Sequence, residues 1–440
     1  MKKLRVLLIT RECLRADSNE GNVLLNLFGG QPVECANIYC KPGVPDNDLC
    51  AGRYFQLTDR MALENILHRT PMGCIVAPEI AAQDSGDAAA GKSAVPAAEA
   101  ENKKFYDFFR GHNWEIFHLA RELLWQAADF KSGALQQFIK DFAPDIVFAP
   151  LCYSRFVLAV QRYAIRLAGV PAVTYIYDDL YSLRQLRFSP LFWLNRFALR
   201  SAIRKTLALH SFAYTMTQQQ AQEYSRMLAV PMQVLRKCAS VQPVQPVPHE
   251  GVRLVYAGGI YYGRDDTLAA VADAVRILRA QGQDVRLDIY TASPLRRKTA
   301  PRLHDGDGCT VHPPVPAQQL RRIYAAADIA LHVESFRKKN ALVTRLSFSA
   351  KIVDCLSGGC AVLAVCPSLN AGWQYLRDED AAVCVCDTAG VAAAVTSLVQ
   401  DAALREQYRC KAAQVLQKIH EEAAVRAGLL AQLTELAVKR

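Results

Sequence analysis

The sequence predicts an α/β protein made of two doubly wound domains. Three observations point there. Short apolar strands alternate with amphipathic helices along both halves of the chain, the pattern of a parallel sheet covered on both faces. A proline-punctuated stretch between Lys237 and Gly251, C-A-S-V-Q-P-V-Q-P-V-P-H-E, interrupts that alternation once. The 440 residues exceed what one hydrophobic core organises. The expected domains are 1–240 and 251–440.

In the first half, residues 4–10 read as a strand; the run is too short, and lacks the small-residue cleavage site, for a signal peptide. A polar loop over 11–22 precedes a helix, and 33–40 reads as a second strand. Residues 81–102 collapse to Ala, Gly, Ser, Asp and Glu, a low-complexity insertion. Helical patterning resumes over 103–142. Strands follow at 145–149, 172–177 and 211–216, with a helix over 154–168. The second half restarts with strand 252–256, the turn Gly258-Gly259 and a helix over 265–281. Strands at 285–290, 310–312 and 328–333 come next, with a helix over 316–326. A helix ending at Ser357-Gly358-Gly359, strand 361–365, strand 381–386 and terminal helices complete it.

Composition narrows the function classes. At 51% hydrophobic residues the chain is an ordinary globular protein. No apolar run reaches the roughly 18 residues of a membrane span. The 14 cysteines are scattered without a C-x-x-C pair, which disfavours a zinc site and suits a reducing compartment. The V-C-V-C run at 383–386 suits a strand with two buried thiols. The formal charge is +10, and its placement matters more than its size. Residues 180–222 contain no Asp or Glu, and within them 180–205 hold Arg184, Arg187, Arg196, Arg200, Arg204 and Lys205. Phe188, Phe192, Trp193 and Phe197 are interleaved. An in-plane interfacial helix needs such a segment, with rings entering the lipid boundary and cations meeting anionic head groups. A core helix with a solvated basic face accounts for it equally. No nucleic-acid motif accompanies the charge.

Candidate site residues gather where strands of the second half end, the usual ligand side of such sheets. In F-S-A-K-I-V-D-C-L-S-G-G-C-A-V-L-A, residues 348–364, Lys351 and Asp354 share one helix face. A nucleotide sugar needs a cation for its phosphates and a carboxylate for its ribose; a surface ion pair is the plain alternative. Gly258-Gly259 lets the backbone approach a ligand, and Arg264 opposes the dipole of the helix it starts, which suits a phosphate clamp. Glu334 follows strand 328–333. Tyr290, Thr291 and Val315 lie where a base could sit. No G-x-G-x-x-G follows either first strand, and G-x-x-x-x-G-K-[ST] and G-x-S-x-G are absent, which disfavours nicotinamide cofactors, P-loop kinases and α/β hydrolases.

V-Y-A-G-G-I-Y-Y-G-R-D-D-T-L at 255–268, A-A-A-D-I-A-L-H-V at 325–333 and the 348–364 segment together resemble the glycosyl transferases group 1 class. F-A-P-D-I-V-F-A-P and G-V-P-A-V-T-Y-I-Y-D-D in the first half resemble it less specifically. The resemblance implies a GT-B architecture, two Rossmann-like domains facing a cleft, with the first binding acceptor and the second binding a nucleotide-sugar donor, expected to be a UDP-sugar. It implies that Gly258-Gly259 contacts the donor phosphates, that Arg264 and Lys351 neutralise the leaving diphosphate, that Asp354 holds the ribose and that Glu334 lies near the donor sugar. Asp178 or Asp179 would orient or deprotonate an acceptor hydroxyl; a helix cap or solvated turn explains that pair as readily. Glu334 and Asp354 stand twenty apart, where many relatives place two acids eight apart; the basic insertion R-K-K-N-A-L-V-T-R lies between, and puts the role of Glu334 in question. Asp305-Gly-Asp307 reads as a turn, so no metal and no cofactor beyond the donor substrate is expected. Such a protein would be cytoplasmic and peripheral to the inner membrane face. Its partners would be a nucleotide sugar, a glycan or lipid-linked acceptor and an anionic membrane surface touched by Arg187, Phe192, Trp193, Arg196 and Arg200. A sugar-nucleotide epimerase of the same fold, or a non-catalytic binding partner of it, are the alternatives.

Overall fold

A computed structural model describes residues 3–79, 114–241, 244, 247–304, 306 and 308–439. The low-complexity stretch 81–102, Asp305, Asp307, Pro243 and Pro246 lie outside the described residues.

The first lobe is an eight-stranded sheet. Its strands are β1 (Leu4–Thr10), β2 (Val33–Tyr39), β3 (Tyr54–Gln56), β4 (Cys74–Ile75), β5 (Ile146–Phe148), β6 (Ala172–Ile176), β7 (Phe212–Thr215) and β8 (Met232–Val234). Their order is β4-β3-β2-β1-β5-β6-β7-β8, parallel throughout except for antiparallel β4. The last five residues of β1 are fully buried, which is why the strand reads as a continuous apolar run and not an alternating one. The second lobe is a six-stranded parallel sheet. Its strands are β9 (Val252–Ala257), β10 (Val285–Tyr290), β11 (Cys309–His312), β12 (Ile329–Val333), β13 (Ala361–Val365) and β14 (Val383–Val385), in the order β11-β10-β9-β12-β13-β14. Both sheets reverse their winding at the first strand, between β1 and β5 and between β9 and β12. Open α/β sheets take their ligands outside the carboxyl ends of the strands at such a reversal.

Several sequence expectations are corrected. The helical stretch 103–142 is two helices where it is described, Trp114–Ala127 and Gly133–Phe142. Ser132 caps the second, its hydroxyl accepting from Leu135 N at 3.2 Å, so the chain turns between them. Short β3, β4 and β8 carry too few residues to show a period. Cys384 is only half-buried and Cys386 is exposed, because β14 is an edge strand; all 14 cysteines are free. The carboxy-terminal helix also touches the first lobe. Helix Glu422–Val438 packs back on the first lobe, with Leu429 and Leu433 buried in an apolar cluster that also holds Val6, Leu8 and Phe148. Tyr214 donates to Gln432 across that seam at 2.6 Å, and Arg426 donates to Asn26 O. The same cluster contains Val255, Ile352 and Val362, so one apolar seam runs through both lobes.

The basic aromatic segment becomes helix Pro190–Leu207, started by Ser189, which accepts from Phe192 N, and by proline at its first position. Its arginines do not face outward as an interfacial helix requires. Arg196 donates to the carbonyls of Asp179 and Ser182 at 3.1 and 2.6 Å. Arg200 lies 4.0 Å over the Tyr181 ring and donates to Tyr181 O. Phe192 and Trp193 are half-buried, Phe192 beneath Arg187 and Trp193 donating to Arg187 O. The apolar groups left most outward are Phe188, Leu194 and Phe197, 92%, 63% and 55% exposed. Among the described residues no helix is long and apolar enough to cross a membrane.

Candidate active site between the lobes

The site begins with backbone geometry. Gly258 ends β9 at φ +138°, a conformation that L side chains rarely adopt. A Cβ there would stand 2.6 Å from Lys351 Cδ and 2.7 Å from its Nζ. Glycine therefore permits the Lys351 ammonium to reach the turn. Lys351 enters from helix Ala350–Leu356, donates to Tyr256 OH at 3.1 Å and lies 5.1 Å from the centre of that ring. Burial, reinforced by the neighbouring Arg264 cation, pushes the ammonium down to about 8. It has no carboxylate within ion-pair reach among the described residues.

Arg264 opens helix Arg264–Ala280 at Gly263. It is 8% exposed, and its Nη2 and Nε donate to the two carboxylate oxygens of Glu334 at 2.7 and 3.0 Å. Two residues assigned separate jobs from the sequence are thus one buried pair. Glu334 offsets the Arg264 charge, and Lys351 is left as the uncompensated cation. Behind them, His332 is held neutral, pushed down to about 3 by burial and by both cations.

Lys351 and Asp354 diverge. Asp354 accepts from Lys237 Nζ at 3.0 Å, which ties the helix to the start of the interlobe linker. Asp354 therefore already holds a cation partner, which any ribose contact would have to share. Tyr290 stacks on His312 with ring centroids 4.6 Å apart, and His312 contacts Asp288 at 2.6 Å. Thr291 is buried and its N–H is satisfied by His312 O. Val315 is half-buried.

The first lobe supplies Asp178 and Asp179, whose environments differ. Asp179 is fully enclosed. It accepts from Ser182 N, Ser182 Oγ and Tyr224 OH, and it lies 3.6 Å from Arg196 and 3.7 Å from Arg345. With its lone pairs taken, it anchors structure and is not placed to meet an acceptor. Asp178 keeps surface open to water in the cleft, yet the dense walls around it raise its carboxyl above the usual range; Ser347 Oγ donates to it at 2.8 Å from the opposite lobe. Glu20, whose charge acts on the Tyr177 hydroxyl, accepts from the N–H groups of Arg11 and Glu12, and burial pushes it up to about 7. The Tyr177 hydroxyl is buried without a hydrogen-bond partner among the described residues.

Sequence reasoning missed Arg345. It closes the basic insertion, follows helix Lys338–Val343 and is 4% exposed in its side chain. It makes a two-point contact with Glu223 of the first lobe at 2.7 and 2.8 Å. Nothing in R-K-K-N-A-L-V-T-R distinguishes this arginine from Arg337, which stays half exposed to water. Tyr256 had a weak signal, since it stands two residues before the glycine turn on the strand that carries it. Glu20 had none beyond its place in the first turn after Ser18. Among the described residues no cluster of His, Cys, Asp and Glu has the arrangement of a metal site.

Residues 251–401 match the family model of glycosyl transferases group 1. None of the curated proteins matches the chain. Among solved structures, the chain is similar to sucrose-phosphate synthase from Thermosynechococcus elongatus, at TM-score 0.63 and 13% identity over 100% of both chains. It is similar to HepE from Anabaena, solved in complex with UDP and glucose, at TM-score 0.62 and 11% identity over 98% of this chain and 100% of that one. A trehalose-6-phosphate protein from E. coli bound with UDP-2-fluoro glucose aligns at TM-score 0.60 and 11% identity over 98% of both chains.

Proposed function

We propose, for a chain with the GT-B fold whose second lobe matches the glycosyl transferases group 1 model, that the activity is transfer of a sugar from a UDP-sugar to a hydroxyl of a lipid-linked or growing glycan. The observation that carries the reading is the uncompensated Lys351 ammonium against the Gly258 turn, with the Arg264–Glu334 pair beside it. As the donor's glycosidic bond breaks, negative charge grows on the diphosphate. A desolvated cation fixed beside it stabilises that charge more than it stabilises the bound donor, which is the differential effect that accelerates the step. Arg264 keeps an Nη1 hydrogen free for a phosphate oxygen, its nearest acceptor being Gly259 O at 3.5 Å. Asp354, relieved of Lys237 or shared with it, takes the ribose hydroxyls. The Tyr290–His312 ledge carries the base.

Asp178 is the group that meets the acceptor. Its raised carboxyl suits accepting a hydroxyl proton near neutral pH, and its place on the first lobe faces the donor across the cleft. HepE and the E. coli protein were solved with UDP or a UDP-sugar derivative, which supports uridine as the nucleotide. The exposed Phe188, Leu194 and Phe197 support work against a membrane surface, with these apolar side chains and not the arginines of the segment making contact. The test is donor hydrolysis and transfer over a panel of nucleotide sugars, comparing wild type with Lys351→Ala and Asp354→Ala. Equal rates in all three would remove the assignment.

A further inference from the structure

A cavity of about 490 Å³ opens on the first lobe between helices Arg155–Ala168 and Pro190–Leu207 and the turn at 128–131. It shares no lining residue with the interlobe site. Four cations line it, Lys131, Arg155, Arg162 and Lys205, against two acids, Glu122 and Asp129. Of the acids, only Glu122 has a cation partner among the described residues, and the cations outnumber the acids. Glu122 lies 3.6 Å from Arg155, and Asp129 accepts from the backbone N–H of Lys131 at 3.0 Å. Lys131, Arg162 and Lys205 have no carboxylate partner among the described residues, and Arg162 makes a single side-chain hydrogen bond, to Thr206 Oγ1 at 2.9 Å. Burial and the nearby Arg166 disfavour the Arg162 charge, so an incoming anion relieves a strained electrostatic arrangement. The floor is apolar, with Trp125 stacked on Phe156 at 4.4 Å.

The rim indicates what else the ligand carries. On helix Pro190–Leu207, Leu194, Ala198, Ser201 and Lys205 fall on one stripe with Phe197 beside it, so the cationic end of the pocket runs into exposed apolar side chains. A phosphate alone would not use that strip, and an uncharged lipid would not use the cations.

We propose that this pocket binds the phosphate headgroup of an anionic lipid, with the lipid chain lying along Leu194 and Phe197. Arg162 would donate to the phosphate with its free edge, and Lys131 and Lys205 would flank it. The proposal rests on the membrane-surface part of the function proposed above and names the lipid chemistry that the surface must contain.

Calorimetric titration of the intact chain tests it, using dihexanoyl phosphatidic acid below its micelle concentration, glycerol 3-phosphate and dihexanoyl phosphatidylcholine. Phosphatidic acid is expected to bind at least about tenfold more tightly than either comparator, since one charge-assisted hydrogen bond or a short buried chain each contributes about that much. The pair Arg162→Gln with Lys205→Gln should weaken it at least about tenfold, whereas Arg162→Lys, which keeps the charge, should retain most of the affinity and shows that the fold survives. Equal binding of glycerol 3-phosphate would overturn the lipid claim, and undiminished binding by the double variant would overturn the site. Sedimentation with phosphatidylglycerol vesicles separates the two readings. A wild type that binds the short-chain lipid through Arg162 but does not pellet overturns only membrane association. One that pellets while the double variant binds phosphatidic acid undiminished overturns only the pocket.

Discussion

Replacing Lys351 with methionine removes one charge and keeps nearly the same length of side chain. In the free protein the ammonium is pushed from 10.5 to about 8, chiefly by burial. At about 1.36 kcal/mol per unit, those roughly 2.5 units correspond to about 3 kcal/mol by which the site disfavours the charged form. A diphosphate at the Gly258 turn restores a partner to that charge, and recovering the same penalty sets the scale of the gain on binding. Lys351→Met should therefore weaken UDP by up to about 100-fold near pH 7. The sign of the pH effect follows from the downward shift. Below pH 8 the ammonium is already formed and adds no pH dependence of its own beyond that of the UDP phosphate; above pH 8 it must take up a proton to bind, and affinity falls toward tenfold per unit. The variant has no such group and should lose that limb. Calorimetric titration with UDP between pH 6.5 and 9.5 reads both effects. A variant within threefold of wild type, with the high-pH fall intact, would refute the placement of the ammonium on the diphosphate.

Asp178→Asn should lower transfer by about 100-fold, the scale of a positioned general base, while UDP affinity stays within twofold; a loss confined to UDP binding would assign the carboxylate to the donor instead. Arg345→Ala strips the cation from Glu223 and leaves enclosed Asp179 with one arginine, a loss on the order of 3–5 kcal/mol for breaking a buried pair. Urea unfolding should show it, and a shift below about 1 kcal/mol would mean the two lobes are not held there. Leu194→Ser with Phe197→Ser should reduce pelleting with anionic vesicles without changing the unfolding midpoint, since both side chains already face water. Arg196→Glu should instead destabilise the chain, because Arg196 is bonded to the Asp179 and Ser182 carbonyls.

The architecture was legible because parallel strands covered on both faces are written as uninterrupted apolar runs. β1 and β13 lie almost where those runs stand, while β2 carries Glu34 and Asn37 among its apolar residues. The glycine turn was legible because a left-handed φ beside a close neighbour leaves glycine as the residue that fits. Lys351 and Asp354 were legible as a helix-face pair, since spacing sets the face. Where each side chain points beyond that face was not. Lys351 turns to Tyr256 and Asp354 to Lys237 because those partners arrive from strands and a linker far away in the chain. The same limit hid the Arg264–Glu334 pair, separated by 70 residues, and the bridge from Arg345 to Glu223, separated by 122. It also inverted the basic aromatic helix. Composition located its arginines and rings, but only the packing of Tyr181 and Asp179 against it decided which faced inward. Local periodicity is a property of neighbouring residues, and so it selected the strands and helices. Which charges meet is a long-range matter of sheet order and lobe contact, and the tertiary structure alone settled it.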